Sequence, residues 1–237
     1  MELAPGQTMK RPLPYLSRLW ASDIALTTLL IFLLIYIFFL YPLLPEGSVK
    51  PLAFVFFSLI LISGAITALR NRLFRTLVFA WGLLSFAFLW VRYLFPQQTI
   101  VLLGTWLALF YLFLLTFLIL GQALREGDTT SHRIMGAVAA YLLLGLSWSL
   151  VYYAIALWIP GAFNGLGAAM EGDRELLHMH FQYFSFTVLT TVGFGDIVPV
   201  TPIARMAAVL EGVVGQLFPA ILIARLVSLQ VQSKQKT

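Results

Sequence analysis

The 237 residues are 60% hydrophobic and only 11% charged, whereas a soluble domain carries about 25% charged residues. This composition excludes a water-soluble globular protein and indicates a chain that crosses a membrane several times. There is no cysteine, which excludes a disulfide framework. The net charge of +5 does not indicate nucleic acid as a partner, because the basic residues of a membrane protein gather in its cytoplasmic loops.

The first part of the chain reads as a lead-in followed by four apolar spans. Residues 1–21 contain three prolines and three basic residues, and they lack the pattern of a cleaved signal peptide. Residues 22–130 are predicted to form a four-helix transmembrane domain, since about 20 apolar residues suffice to cross a bilayer. The four spans are predicted at 24–41, 51–69, 76–93 and 99–124.

The second part, residues 131–230, has a different pattern. An apolar span at 134–159 is followed by a polar segment at 160–176, an amphipathic stretch at 177–189 and a glycine-containing loop. A last apolar span begins at Thr201-Pro202. The segment 177–200 is too short to cross the membrane and return as helices, so it is predicted to be re-entrant. Residues 231–237 are predicted to be a short cytoplasmic tail.

The sequence therefore predicts an all-α membrane protein with six transmembrane helices. A re-entrant helix and loop lie between the fifth and the sixth. With six spans, eleven of the 15 lysines and arginines lie on the same side as the termini. Since lysine and arginine mark the cytoplasmic side, both termini are predicted to be cytoplasmic.

The loop after the amphipathic stretch has two glycines that alternate with larger residues, Gly193 and Gly195. Glycine adopts backbone conformations that are forbidden to residues with a Cβ atom. Such alternation can turn successive carbonyl oxygens to one side of an extended strand. A column of carbonyl oxygens can replace the hydration shell of a monovalent cation.

The run Thr-Val-Gly-Phe-Gly-Asp at residues 191–196, with Pro199 after it, resembles the selectivity filter of potassium channels, usually written Thr-Val-Gly-Tyr-Gly-Asp. The resemblance covers about residues 134–230, which it identifies as a pore domain. It implies K⁺ as the permeant ion and a homotetramer around a fourfold axis. The Thr191 hydroxyl is expected to add the innermost ring of oxygens. The ion-binding residues implied are Thr191, Val192, Gly193, Phe194 and Gly195.

The resemblance also implies a set of residues that support the filter. Phe194 replaces the usual tyrosine, and Phe184 stands where many relatives have a tryptophan, so aromatic packing is expected instead of a hydrogen bond. Tyr183 matches a family position that can reach the filter aspartate, here Asp196. Thr187 stands where some bacterial relatives have a glutamate. Thr190 ends the pore helix, whose C-terminal dipole would favour a cation in the cavity below.

The last span contains the residues predicted to line the pore and to gate it. Gly215 has the spacing of the family's gating glycine, and close helix packing is the alternative. Pro219 can kink the helix. Glu211 is either a hydrogen-bonded structural carboxyl group or a gating and proton-sensing group, with Thr187 or Thr190 as the expected hydroxyl partner. The residues predicted here are Glu211, Gly215, Gln216, Pro219 and Ile223.

The predicted function is passive, potassium-selective conduction across the cell (inner) membrane, with membrane lipid as the other partner. The span at 99–124 contains no arginine, so a charged voltage sensor is not expected. No catalytic constellation is recognisable, which predicts no enzyme activity, no organic cofactor and no small-molecule substrate. His178 and His180 are interpreted as plain extracellular residues, with pH or metal sensing as the alternative. Two further alternatives remain, a weakly selective monovalent cation channel and a non-conducting membrane sensor or scaffold.

Overall fold

The computed structural model describes residues 26–39, 55–60, 63, 72–95, 97–124, 131–167 and 174–234. Three predicted segments fall wholly or mostly outside the described residues. They are the lead-in at 1–21, the second span at 51–69 and the end of the tail at 235–237.

The described part of the chain is almost entirely helical. The first described helix ends in a π-helical turn at Ile35–Phe39. The helices are α1 (Leu26–Phe39), α2 (55–60), α3 (Arg72–Leu94), α4 (Gln98–Ala123), α5 (Ser131–Trp158), α6 (Arg174–Leu189) and α7 (Pro202–Lys234). Two short strands, β1 (Phe163–Asn164) and β2 (Val198–Pro199), flank α6 and the loop that follows it.

Three of these helices are long and apolar enough to cross a membrane, Gln98–Ala123, Arg133–Trp158 and Pro202–Arg225. They coincide with the fourth, fifth and sixth predicted spans. Shorter apolar helices, Leu26–Phe39 and Thr76–Phe88, lie where the first and third spans are predicted. A mostly helical membrane protein is therefore confirmed, and the total of six spans stays a prediction.

One buried apolar cluster joins α1, α4 and α5. Leu29 and Leu33 of α1 are fully buried against α4 and α5, together with Tyr111 and Leu143. A hydrogen bond also joins α4 to α5, because the Gln98 side-chain amide donates to the backbone carbonyl of Leu157 at 3.2 Å. The beginning of α4 therefore lies beside the end of α5, and the two helices are antiparallel.

A second cluster, rich in aromatic side chains, holds α6 between α5 and α7. The rings of Tyr152, Phe163, Phe181 and Phe184 are buried there and contact one another edge-on or tilted. Each aromatic side chain buries a large apolar surface. This packing fixes α6, and with it the start of the loop that follows.

The segment after that loop is held by the short sheet. Strands β1 and β2 pair antiparallel with Phe163 opposite Pro199, and the Val200 amide donates to the Ala162 carbonyl at 2.8 Å. Gly165 has a φ of +88°, and a Cβ atom at this position would overlap the backbone carbonyl of Asp196. Both ends of the loop are thus attached to the packed part of the chain.

Candidate functional site

The backbone of the glycine loop alternates between two conformations. Thr191, Gly193 and Gly195 have φ angles of +61°, +54° and +79°. Val192 and Phe194, between them, are not in the positive-φ region. Such alternation directs successive N–H groups to one side of the chain and leaves the carbonyl groups on the other. The glycines were expected to do this, whereas Thr191 adds a third positive φ, which is rare for a β-branched residue.

The N–H groups at the beginning of the loop point back to the end of α6. The amides of Val192 and Gly193 both donate to the Thr187 carbonyl, at 2.9 and 3.1 Å, and the Thr191 amide donates to Val188 at 2.9 Å. Residues 191–196 are exposed in the single chain. The carbonyl oxygens on the opposite side are therefore available to a ligand or to another chain.

Aromatic packing beside the loop differs in part from the prediction. The Phe194 ring stacks on Tyr183, with ring centroids 6.3 Å apart and planes 2° apart, and the contact of the Tyr183 hydroxyl with Asp196 stays a prediction. Phe184 instead packs edge-on against Tyr152, with centroids 4.9 Å apart. Within one chain, the expected pairing of Phe184 with Phe194 is therefore replaced by Tyr183 with Phe194.

Glu211 is fully buried at the junction of three helices. The Tyr152 hydroxyl on α5 donates to one of its carboxyl oxygens. The other carboxyl oxygen lies 2.6 Å from the Ser185 hydroxyl on α6. Ser185 also contacts the Gly145 carbonyl on α5, at 2.8 Å. A single side chain of α7 thus joins α5 and α6.

The partners expected for Glu211 are wrong. The hydroxyl groups of Thr187 and Thr190 donate to carbonyls of their own helix, those of Phe184 at 2.8 Å and Phe186 at 2.6 Å. Both threonines nevertheless lie at the end of α6, directly before the loop. Sequence reasoning missed Ser185 and Tyr152, because serine and tyrosine in an apolar helix have no pattern that identifies their partner.

Gly215 lies where α7 crosses the end of α6. It is buried, and a Cβ atom there would overlap the backbone carbonyl of Leu189. The same carbonyl accepts a hydrogen bond from the Tyr141 hydroxyl at 3.1 Å. This geometry favours the close-packing interpretation of Gly215, and a hinge role stays a prediction.

The other predicted pore-lining residues follow along the exposed side of α7. The Gln216 amide donates to the Thr191 hydroxyl at 2.9 Å. Pro219 and Ile223 are exposed, and α7 continues as a helix through Pro219 to Lys234. The structure thus brings Gln216 to the loop, while Pro219 and Ile223 lie further along α7.

The histidines of α6 lie apart from the loop. His178 is buried edge-on against Tyr153, with centroids 5.5 Å apart, and His180 contacts the Leu176 carbonyl at 2.8 Å through Nδ1. His178 is therefore part of the core of the described structure, and its assignment to the extracellular side stays a prediction.

Comparison with known proteins finds a family that matches this part of the chain. The family described as ion channel matches residues 140–232. The voltage-gated delayed rectifier potassium channel KCNH5 of Homo sapiens is 36% identical over 76 residues, which cover 31% of this chain and 8% of that channel. Protein LctB of Bacillus caldotenax is 29% identical over 87 residues, 37% of this chain and 64% of LctB.

The family match covers most of α5, all of α6 and the glycine loop, and most of α7. The chain spans less than a tenth of KCNH5 and less than two thirds of LctB. With its long apolar helices, the protein is a membrane protein. Residues 140–232 match the ion channel family, and the resemblance of the glycine loop and its flanking helices to the potassium channel pore family is confirmed.

Proposed function

We propose that the protein is a potassium-selective channel in which residues 191–195 form the selectivity filter. The observation that carries this proposal is the alternating backbone, with positive φ at Thr191, Gly193 and Gly195. The N–H groups of Thr191, Val192 and Gly193 donate to carbonyl groups of α6, and residues 191–196 are exposed, which supports carbonyl oxygens directed away from α6. Carbonyl oxygens in a column can replace the water around K⁺. The ion is the transported species and not a resident cofactor.

We further propose that four identical chains assemble around the filter. In one chain the loop is exposed although it lies between membrane-spanning helices, and such backbone must be buried in protein or line water. Only 11% of the most apolar 18-residue stretch of α7 is buried in the single chain. Fourfold symmetry would turn each carbonyl into a ring of four and would cover part of α7. Lipid would cover the outer faces of the assembly.

The proposed topology has six spans, with α6 as a re-entrant pore helix and both termini in the cytoplasm. The pore domain at 131–230 would conduct, and the four helices at 22–130 would surround it. The loop would then face the outside of the cell membrane. The distribution of lysines and arginines supports this orientation, and the antiparallel contact of α4 with α5 is consistent with it.

Potassium selectivity is tested by the reversal potential of the purified protein in planar bilayers, with K⁺ on one side and Na⁺ on the other. We expect reversal close to the K⁺ equilibrium potential. Reversal near zero would instead support the weakly selective cation channel, because Phe194 changes the side-chain support of the filter. An assembled tetramer that passes no current would favour the non-conducting sensor or scaffold.

We expect weak voltage dependence, because α4 contains no charged residue between Gln98 and Ala123. Moving one charge through 100 mV is worth about 2.3 kcal/mol, so steep gating requires several charges in each subunit. The measurement is the conductance–voltage curve of the same bilayers at equal K⁺ concentrations. A curve as steep as that of an arginine-rich voltage sensor would contradict the proposal of a channel without one.

A further inference from the structure

Gln216 contacts the side chain of the innermost filter residue. Its Nε2 atom on α7 donates to the Thr191 hydroxyl oxygen at 2.9 Å, across 25 residues of sequence. Both residues are exposed in the single chain, so the pair lies on the side of α7 that carries the loop. The family pattern does not predict this contact, since it depends on the rotation of α7 relative to α6.

The chemistry of a hydroxyl group gives this contact a consequence for cation binding. A threonine hydroxyl has one hydrogen and two lone pairs. When the Gln216 amide occupies one lone pair, the position of the oxygen is fixed and the second lone pair stays available to a cation. The left-handed backbone of Thr191, with φ of +61°, sets the direction of its side chain, and Gln216 links that side chain to α7.

We propose that Gln216 is a positioning residue for the innermost cation site of the filter. It holds the Thr191 hydroxyl oxygen toward the ion, and its own amide oxygen adds an acceptor to the cavity below. The ligand class is a partly dehydrated cation of about the size of K⁺. A movement of α7 would therefore change the affinity of this site. The inference rests on the proposed function, since it assumes that Thr191 contributes an ion-binding oxygen.

The probe is Ba²⁺, which is close in size to K⁺ and carries twice its charge. We expect Gln216→Leu to weaken block by cytoplasmic Ba²⁺ about three- to tenfold, because the Thr191 hydroxyl oxygen remains as a ligand and only its fixed position is lost. Gln216→Asn keeps the amide but shortens its reach, so it should weaken block to a similar extent. The matched control is Gln122→Leu, the same chemical change at an exposed position near the end of α4, which should leave block unchanged.

Three outcomes would overturn the proposal. The first is unchanged Ba²⁺ block in Gln216→Leu. The second is normal block in Gln216→Asn, because polarity and not the contact with Thr191 would then be sufficient. The third is failure of both variants to form the tetramer, which would make Gln216 an assembly residue. The reversal potential in the same recordings separates this inference from the proposed function. Potassium-selective wild-type current with unchanged block in the variants rejects only the role of Gln216.

Discussion

A channel with Gly193→Ala is expected to lose selective potassium current, with a reversal potential near zero under opposing K⁺ and Na⁺ gradients. Gly193 has a φ of +54°, and a residue with a Cβ atom in the left-handed conformation costs roughly 1–2 kcal/mol. In a fourfold assembly every subunit bears this cost, so the total reaches about 4–8 kcal/mol in a single ring. Relaxation of the strain by rotation of the peptide would turn a carbonyl away from the ion.

The chain offers a close control for this prediction. Gly167 has a φ of +52°, and at both glycines the position of an added Cβ atom has no neighbouring atom within 4 Å. Gly167→Ala therefore introduces the same kind of strain, but in the polar segment that precedes α6. We expect this variant to keep the wild-type reversal potential. If Gly193→Ala is as selective as Gly167→Ala, the backbone of Gly193 does not control ion selectivity.

Features that depend on local sequence could be predicted well. The spans predicted at 99–124 and 134–159 correspond to α4 (Gln98–Ala123) and α5 (Ser131–Trp158). Uninterrupted apolar stretches of this length favour helices in a membrane, and proline or glycine marks their ends. The position of the glycine loop was predictable because Gly193 and Gly195 permit positive φ angles, whereas the positive φ of Thr191 was not predictable from its residue type.

Features that depend on how the helices rotate and cross could not be predicted. Helices α4 and α5 are apolar on nearly every side, so their sequences do not indicate which side faces the core. The contact of Glu211 with Ser185 joins residues 26 apart, and that with Tyr152 joins residues 59 apart. The stacking of Phe194 on Tyr183 instead of Phe184 is also decided by the orientation of α6. In each case the packing of the helices decides which side chains are in contact, and sequence spacing does not identify them.

The hydrogen-bonding groups around Glu211 indicate whether its carboxyl group is protonated. The Ser185 hydroxyl has one hydrogen and contacts two oxygens, the Gly145 carbonyl and one carboxyl oxygen of Glu211. The Tyr152 hydroxyl donates its own hydrogen to the other carboxyl oxygen. If Ser185 donates to Gly145, the contact with Glu211 is a hydrogen bond only when the carboxyl group provides the hydrogen. A protonated carboxyl group therefore satisfies every polar atom of the junction.

Glu211→Gln is expected to keep the tetramer and its selectivity. It should also remove the pH dependence of the melting temperature and of the open probability. The glutamine amide can donate to Ser185 while its carbonyl oxygen accepts from Tyr152, so it reproduces the protonated carboxyl group at every pH. In the wild type, a rise in pH removes the proton, leaves a charge in the core and should lower the melting temperature of the tetramer. We would measure melting temperature and open probability from about pH 5 to pH 9. Identical pH profiles for wild type and variant would leave Glu211 with a structural role only.

Glu211→Leu is expected to destabilise the assembly, because the Tyr152 hydroxyl loses the acceptor that the carboxyl group provides. A buried polar group without a partner costs about 1–3 kcal/mol, whereas replacing both partners by apolar groups can be nearly neutral. The double variant Glu211→Leu with Tyr152→Phe should therefore recover part of the lost melting temperature. Ser185 keeps the Gly145 carbonyl in both variants, so the comparison isolates the tyrosine hydroxyl. If the double variant is no more stable than Glu211→Leu, the loss of stability comes from packing around α7. It would then not come from the Tyr152 hydroxyl group that lacks an acceptor.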